Sequence, residues 1–404
     1  MKYLLLVLGV VLTFRGYSQR CMVKETMPFF NEARKGVQTS SRDTLPGEVI
    51  IVPVVIHVLY NTNDQNIPDQ HIIDQINSLN RDFRRKNADT VNTPAPFKSV
   101  AADSRIVFCI AKTDPDGKST TGIIRKYTRV KAFFPDDQMK YSSKGGDDAW
   151  DASEYFNIWV CNLFGRTLGY SVMPGGNPAL DGVVIQTNVF GNGPYLSAPF
   201  NKGRTLTHET GHWLGLKHLW GDSVCGSDGI DDTPPQEGSS TGCPDFPKTS
   251  SCSINPYGDM FMDFMDFTDD ACMNMFSTGQ VREMRSQFAK GGFRNSFLAS
   301  TVCESSPVEE APQVPPDGEV DLQMYPNPFA TQLIIRGNNF DEVNGKAVRI
   351  YNVQGKLVQE ITIQSQTTIV NTSQLPSGVY IAIFENANKR KIFKIVKAGY
   401  SGNR

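Results

Sequence analysis

The sequence predicts two folded parts: an α/β (α+β) domain with a mixed, twisted sheet and two main helices, then a small all-β sandwich. Three observations carry this. Up to about residue 300, β-branched runs alternate with stretches of helical periodicity. Residues 301–320 form a Pro- and Glu-rich linker that cannot build a core. Residues 321–404 hold six or seven short strands broken by turns. At 404 residues the chain is long enough for two or three domains. Its formal charge of −2, with no block of like charge, gives no footprint for nucleic acid.

Residues 1–18 read as a signal peptide, with Lys2 ahead of an apolar run from Tyr3 to Phe14 and a small-residue cleavage site at Gly16-Tyr17-Ser18. That run is too short to span a membrane, and nothing later approaches twenty apolar residues. The mature chain is therefore expected to lack a transmembrane segment and to be secreted, with disulfides open to its eight cysteines. Residues 19–41 read as a pro-segment holding Cys21. Two readings of Cys21 stand: a thiolate that fills the open position of a metal site and keeps an enzyme latent, or a spare cysteine that pairs with Cys303.

The first domain is expected over 42–300. Val49 to Tyr60 is a long β-branched run and reads as a buried strand. Ile72, Ile73, Ile76, Leu79 and Phe83 recur at helical spacing between Asp69 and Arg85, just after Pro68. Ser104 to Ala111, Tyr155 to Asn162 and Gly182 to Thr187 read as further strands, with both helices packed on one face of the sheet.

The second helix starts near Arg204 and carries His208-Glu209-Thr210-Gly211-His212-Trp213-Leu214-Gly215-Leu216-Lys217-His218. Residues four apart on a helix share a face, so His208 and His212 can close on one metal ion. Glu209 is turned far enough to reach a metal-bound water. Gly215 permits the left-handed turn that ends the helix, and His218 can return as a third imidazole. Three neutral imidazoles with an open fourth position suit catalytic zinc. A bare HExxH arises by chance on many helices, but this chain owns five histidines and three lie in this run. His57 and His71 read as ordinary structural residues.

Asp222 to Asp270 is rich in Gly, Pro, Ser and Asp and needs cross-links to order it. Asp228, Asp231, Asp232 and Thr233 offer hard oxygens suited to Ca2+; the plain alternative is a solvated acidic loop. Met265 is the first candidate for an apolar floor beneath the imidazoles, with Met262 and Met273 as alternatives. Ser277 and Gln280 make a capping box for a closing helix with Val281, Met284 and Phe288 inside.

HETGHWLGLKH at 208–218, DDTP at 231–234 and MDFTDDACMNMF at 265–276 resemble the pappalysin family of metzincin zinc proteases, in its cytophagalysin, ulilysin-like branch. The resemblance spans 50–290 and implies a metzincin-type fold, with Zn2+ on His208, His212 and His218 and Glu209 as general base. It implies that Met265 is the Met-turn residue, that Cys21 is a latency switch, and that Ca2+ sits in the acidic loop. It further implies disulfides Cys225–Cys252 and Cys243–Cys272. Cys109 and Cys161 both fall on predicted strands and could pair, which sequence leaves open. Relatives often carry Tyr where this chain has Phe267, so one donor to the tetrahedral intermediate is missing. Some relatives prefer Arg or Lys after the cut through an acid in the S1′ pocket; Asp269 and Asp270 are the nearest candidates, and Ser41-Arg42 would suit self-cleavage.

YPNPF at 325–329, VRIYNVQGK at 348–356, LPSGVYI at 375–381 and KRKIFKIVK at 389–397 resemble the C-terminal sorting domain of the type IX secretion system. That resemblance implies the type IX machinery as a partner and release, or attachment at the cell surface. The tail GYSGNR departs from the usual ending. The expected function is thus a secreted zinc endopeptidase acting on proteins or peptides that lie extended along an edge strand near Gly182 to Thr187. The alternative is a secreted adhesin or binding protein that keeps an inactive protease fold, for which the β-module and Phe267 are the support.

Overall fold

The computed structural model describes Cys21, residues 48–303 except 197, 254 and 255, and residues 322–398 except 338–342, 353–355, 387 and 388. The expected signal peptide, the pro-segment apart from Cys21, residues 304–320 of the linker and the tail GYSGNR lie outside the described residues. The chain divides into two compact units, Met1–Ala311 and Pro312–Arg404.

The first unit is organised on β1 (Ile50–Tyr60), whose eleven residues are almost wholly buried. Its first half pairs in parallel with β2 (Ile106–Ile110) and its second half with β3 (Ile123–Tyr127). On its other side runs β4 (Phe156–Cys161), also parallel. β6 (Val183–Gln186) continues the parallel sheet, and β5 (Gly169–Ser171) closes it as an antiparallel edge. The sheet is mixed, as expected. The edge strand near Gly182 to Thr187 is β5, because β6 itself lies between β4 and β5. Periodicity cannot reveal β5, since three residues are too few to show alternation. β3 leaves no trace for a related reason: none of its residues is fully buried, and it shows no apolar face.

Helix α1 (Asp69–Phe83) and helix α2 (Arg204–Trp213) lie on the same face of the sheet. There Ile72, Ile76, Leu79, Phe83 and Leu206 join Val54, Ile56, Val58, Ile158 and Ile185 in one core. Alternation sends Leu59, Trp159, Tyr170 and Val184 to the opposite face, where Phe133, Met139 and Leu163 from connecting segments cover them. Helix α3 (Thr278–Ser286) opens with the expected capping box, in which Ser277 N–H donates to Gln280 Oε1 at 2.7 Å and Gln280 N–H donates to Ser277 Oγ at 3.1 Å.

Three disulfides cross-link this unit: Cys225–Cys252, Cys243–Cys272 and Cys109–Cys303. The first two are those the resemblance implied. The third corrects both open readings, Cys109 with Cys161 and Cys21 with Cys303. Cys109 on β2 and Cys161 on β4 flank β1 from opposite sides, opposite Pro53 and next to the Val58–Val160 pair respectively. Two strand spacings alone place them about 9–10 Å apart, beyond disulfide reach. Cys161 stays a buried thiol, and burial raises its pKa far above the ordinary thiol value.

The second unit is all-β. One sheet runs β10 (Leu357–Thr362), β9 (Ala347–Asn352), β12 (Gly378–Asn386), β13 (Lys389–Lys397); the other runs β11 (Thr367–Asn371), β8 (Gln332–Gly337), β7 (Leu322–Tyr325). Leu333, Ile335, Val348, Ile350, Ala382, Phe384 and Ile395 form its core. Phe329 of the YPNPF segment is buried there, its N–H donating to Val396 O at 2.8 Å.

Candidate metal centre

The site is built from α2 outward. Arg204, at its first turn, is buried and bonds Asp89 at 2.7 Å and Asp82 at 3.5 Å, while Thr207 Oγ1 donates to Asp82 Oδ2 at 2.8 Å. Asp270 caps the same helix start: its Oδ2 accepts from Lys202 N–H at 2.8 Å and Arg204 N–H at 3.3 Å. The helix is thereby fixed to α1 on one side and to the 260–275 segment on the other.

That segment passes directly beneath the helix. A Cβ on Gly211 would lie 2.4 Å from Met265 Sδ, so only glycine lets the methionine approach so closely. Met265, buried, is thus the methionine packed against α2 at Gly211, while Met262 and Met273 are buried in the same core. Gly215, at φ 92°, turns the chain after Trp213 and brings His218 back.

The three imidazoles converge. His212 Nε2 is 3.1 Å from His208 Nε2 and 3.1 Å from His218 Nε2. Each Nδ1 faces an oxygen that can only accept: Phe264 O at 2.7 Å for His208, Leu216 O at 2.8 Å for His212, and an Asp222 carboxylate oxygen at 2.7 Å for His218. Each ring in its neutral form thus carries its proton on Nδ1 and aims a bare Nε2 lone pair at its neighbours. Burial, with His218 alongside, pushes His212 down to about 3 and keeps it neutral. Three lone pairs crowded at this spacing repel unless a cation lies among them, so the donor set fits zinc.

Cys21 Sγ joins the same cluster. It and one nitrogen from each of the three histidines all lie within 4.8 Å of one another, the one such grouping of metal-ligating side chains among the described residues. Cys21 also donates to Glu209 Oε2 at 3.4 Å and pairs as an isolated parallel bridge with Gly169 of β5. Gly169 brings the edge strand against the same carboxylate, since a Cβ there would be 3.1 Å from Glu209 Cγ. The three imidazoles, the Glu209 carboxylate and the sheet edge thus meet at one place. Phe267 packs edge-on to His218, ring centres 4.9 Å apart, and Trp220 stacks on His218 at 4.5 Å and 6°. Asp222, Trp220 and the β5 edge are not evident from sequence as parts of the site. An acid four residues after the third histidine is the available signal for Asp222.

Of the expected calcium residues, Thr233 is hydrogen-bonded to Asp228 and Asp232 lies near it. Asp232 is committed to the start of α3, accepting from Ser277 Oγ at 2.6 Å and Gly279 N–H at 2.8 Å, and Asp231 is exposed. Asp228 is buried; its Oδ1 accepts from Thr233 Oγ1 at 2.8 Å and Ile230 N–H at 3.0 Å. Its Oδ2, like Oδ2 of Asp263, is buried with no hydrogen-bond partner among the described residues. Burial pushes Asp228 up to about 6, and burial, with Asp228 and Asp266 near it, raises Asp263 well above the carboxylate range. Of the two acids considered for the S1′ pocket, Asp270 serves as the helix cap, while Asp269 is half-buried.

Residues 139–289 match the family model described as pregnancy-associated plasma protein-A, a peptidase family, and 323–398 match that of the secretion system C-terminal sorting domain. The chain is 31% identical over 266 residues to an extracellular metalloprotease of Arthroderma gypseum, spanning 63% of this chain and 77% of the relative. It resembles mature mirolysin of Tannerella forsythia in complex with a cleaved peptide, at 47% identity and a TM-score of 0.63 over 65% of this chain and 100% of that one. A promirolysin variant of Tannerella forsythia is similar at 44% identity and a TM-score of 0.65, covering 69% of this chain and 92% of that one. No helix among the described residues is long and apolar enough to cross a membrane.

Proposed function

Because the chain belongs to the pappalysin-type peptidase family and is a secreted metallopeptidase with a type IX sorting module, we propose that it cleaves internal peptide bonds with zinc on His208, His212 and His218 and with Glu209 as general base. The convergence of three bare, buried imidazole nitrogens carries this reading. Bound there, zinc supplies Lewis acidity to the substrate carbonyl and to the attacking water. Glu209 takes the water's proton on a carboxylate oxygen and returns it to the leaving amine. The substrate backbone lies along β5, whose outer edge Cys21 occupies in this structure. Met265 supports the histidines from below as the Met-turn residue, and Cys21 acts as the latency switch. One zinc per processed chain and hydrolysis abolished by phenanthroline are expected; a metal-free preparation that still cleaves peptides overturns the reading.

The sorting module is proposed to bring the protein through the type IX secretion machinery. A preference for Arg or Lys after the cut falls to Asp269, since Asp270 is committed to α2. Structural Ca2+ is proposed at Asp228, with Thr233 beside it, because the buried Oδ2 atoms of Asp228 and Asp263 lack hydrogen-bond donors among the described residues. Calcium removal is then expected to lower the melting temperature. Saturation a hundredfold above Kd contributes about 2.7 kcal/mol, or roughly 5–10 °C for a domain of this size. An unchanged melting curve after selective chelation of calcium would discard that site.

Phe267 carries no hydroxyl beside His218. An oxyanion donor is worth about 3 kcal/mol in the barrier, so Phe267→Tyr is expected to raise kcat by up to about a hundredfold. Equal or lower turnover means that another group completes the site.

A further inference from the structure

Two of the three ligand imidazoles are held from behind by neutral backbone carbonyls, and the third by a carboxylate. The fold makes a specific turn to provide it. Gly221 and Asp222 both adopt left-handed backbone, at φ 53° and 57°. Gly221 N–H donates to His218 O at 2.8 Å, and a Cβ on Gly221 would stand 2.2 Å from Ser227 O. Glycine is therefore required there, whereas Asp222 adopts a conformation that L-residues with a side chain rarely take. The result of the turn is that Asp222 folds back over its own loop and reaches His218 Nδ1 at 2.7 Å. Trp220, stacked on the same imidazole at 4.5 Å, fixes the plane of the ring while Asp222 fixes its rotation.

An exposed carboxylate on a surface histidine would contribute little. Here the two ends differ. The Asp222 side chain is 44% exposed, whereas His218 is 5% exposed with its other nitrogen directed at the ligand cluster. A charge-assisted hydrogen bond is about twice as strong as one to a neutral carbonyl, and it raises the electron density of the ring at the opposite nitrogen.

We propose that Asp222 is the positioning residue of the third metal ligand: its carboxylate locks His218 in the Nδ1–H tautomer, makes it the strongest donor of the three, and sets how tightly zinc is retained. The inference rests on the zinc reading above. It separates the site into a rigid pair on α2 and a third ligand whose hold depends on one partly exposed acid. Neither the catalytic carboxylate nor the substrate edge enters this role.

The test is zinc competition against a chromophoric chelator in the processed protein, comparing wild type with Asp222→Ala, Asp222→Asn and His218→Ala. Loss of such a partner costs about 10–100-fold in metal affinity, so that loss is expected for Asp222→Ala. Asp222→Asn is expected to fall between, because its amide oxygen still accepts but without charge. Cobalt substitution supplies a second readout, the ligand-field bands shifting in both Asp222 variants with the metal saturated. Equal melting temperatures of the metal-free forms show that the turn still folds; if Asp222→Ala loses that turn, Asp222→Asn alone decides. Wild-type affinity and bands in Asp222→Asn and Asp222→Ala, with metal lost in His218→Ala, overturn the role of Asp222 alone. Undiminished zinc binding in His218→Ala overturns the metal reading beneath it.

Discussion

Glu209→Ala is expected to lower kcat/KM on an extended peptide about a thousandfold or more while leaving zinc at one per chain. The carboxylate is fully buried beside the convergent imidazoles but is not one of them, so removing it leaves the ligand set whole. In the proposed role what is lost is the proton acceptor, and general acid–base catalysis contributes about 10²–10⁴-fold, or roughly 3–5 kcal/mol of barrier. The loss should fall on kcat rather than KM, because the proposed reading assigns substrate alignment to the β5 edge and not to this side chain. Glu209→Gln separates chemistry from packing: it keeps the shape against Gly169 and loses the base, so it should be as inactive as the Ala variant. Activity within tenfold of wild type in both variants, with zinc still bound, would show that another group moves the proton.

The chemistry of this site is more legible in the sequence than its scaffold. Spacing alone puts His208 and His212 on one face, and Gly215 marks the turn that returns His218, because helix geometry and left-handed backbone are local properties. The long strand β1, helix α1 and the capping box at Ser277 are legible for the same reason. Asp228, Asp231, Asp232 and Thr233 read as one ligand set because they are close in sequence. In the fold Asp232 turns to α3 and Asp231 to solvent, while Asp263, distant in sequence, shares the burial of Asp228. The edge strand is hidden for a different reason. β5 has three residues and owes its place to pairing with β6 and to the missing side chain at Gly169, neither of which leaves a periodic trace. Cysteine pairing stays open wherever it depends on strand order. Cys109 meets Cys303 rather than Cys161 because β2 and β4 lie on opposite sides of β1, a fact of topology rather than of pattern.

Cys21→Ala in the full-length precursor is expected to give peptide cleavage without a lag, at about tenfold to a thousandfold the rate of the unprocessed wild type. The expectation comes from where Cys21 stands. Its sulfur lies with all three imidazoles and 3.4 Å from Glu209 Oε2, so one side chain would cover both the proposed metal position and the proposed base. Its backbone occupies the edge at Gly169 that a substrate would need. A thiolate is among the strongest zinc donors, and being on the same chain it acts at a high effective concentration. An intact latch that leaves the open form at about 0.1–10% sets the range of the gain. Cys21→Ser retains the shape with a harder, weaker donor and should fall between wild type and Ala. The substitution breaks no disulfide, since Cys303 is already bonded to Cys109. In the processed enzyme, cut downstream of residue 21, the same substitution is absent from the product, so mature rates must coincide. A precursor of Cys21→Ala that matures with the wild-type lag would place latency in the backbone contact at β5 rather than in the sulfur.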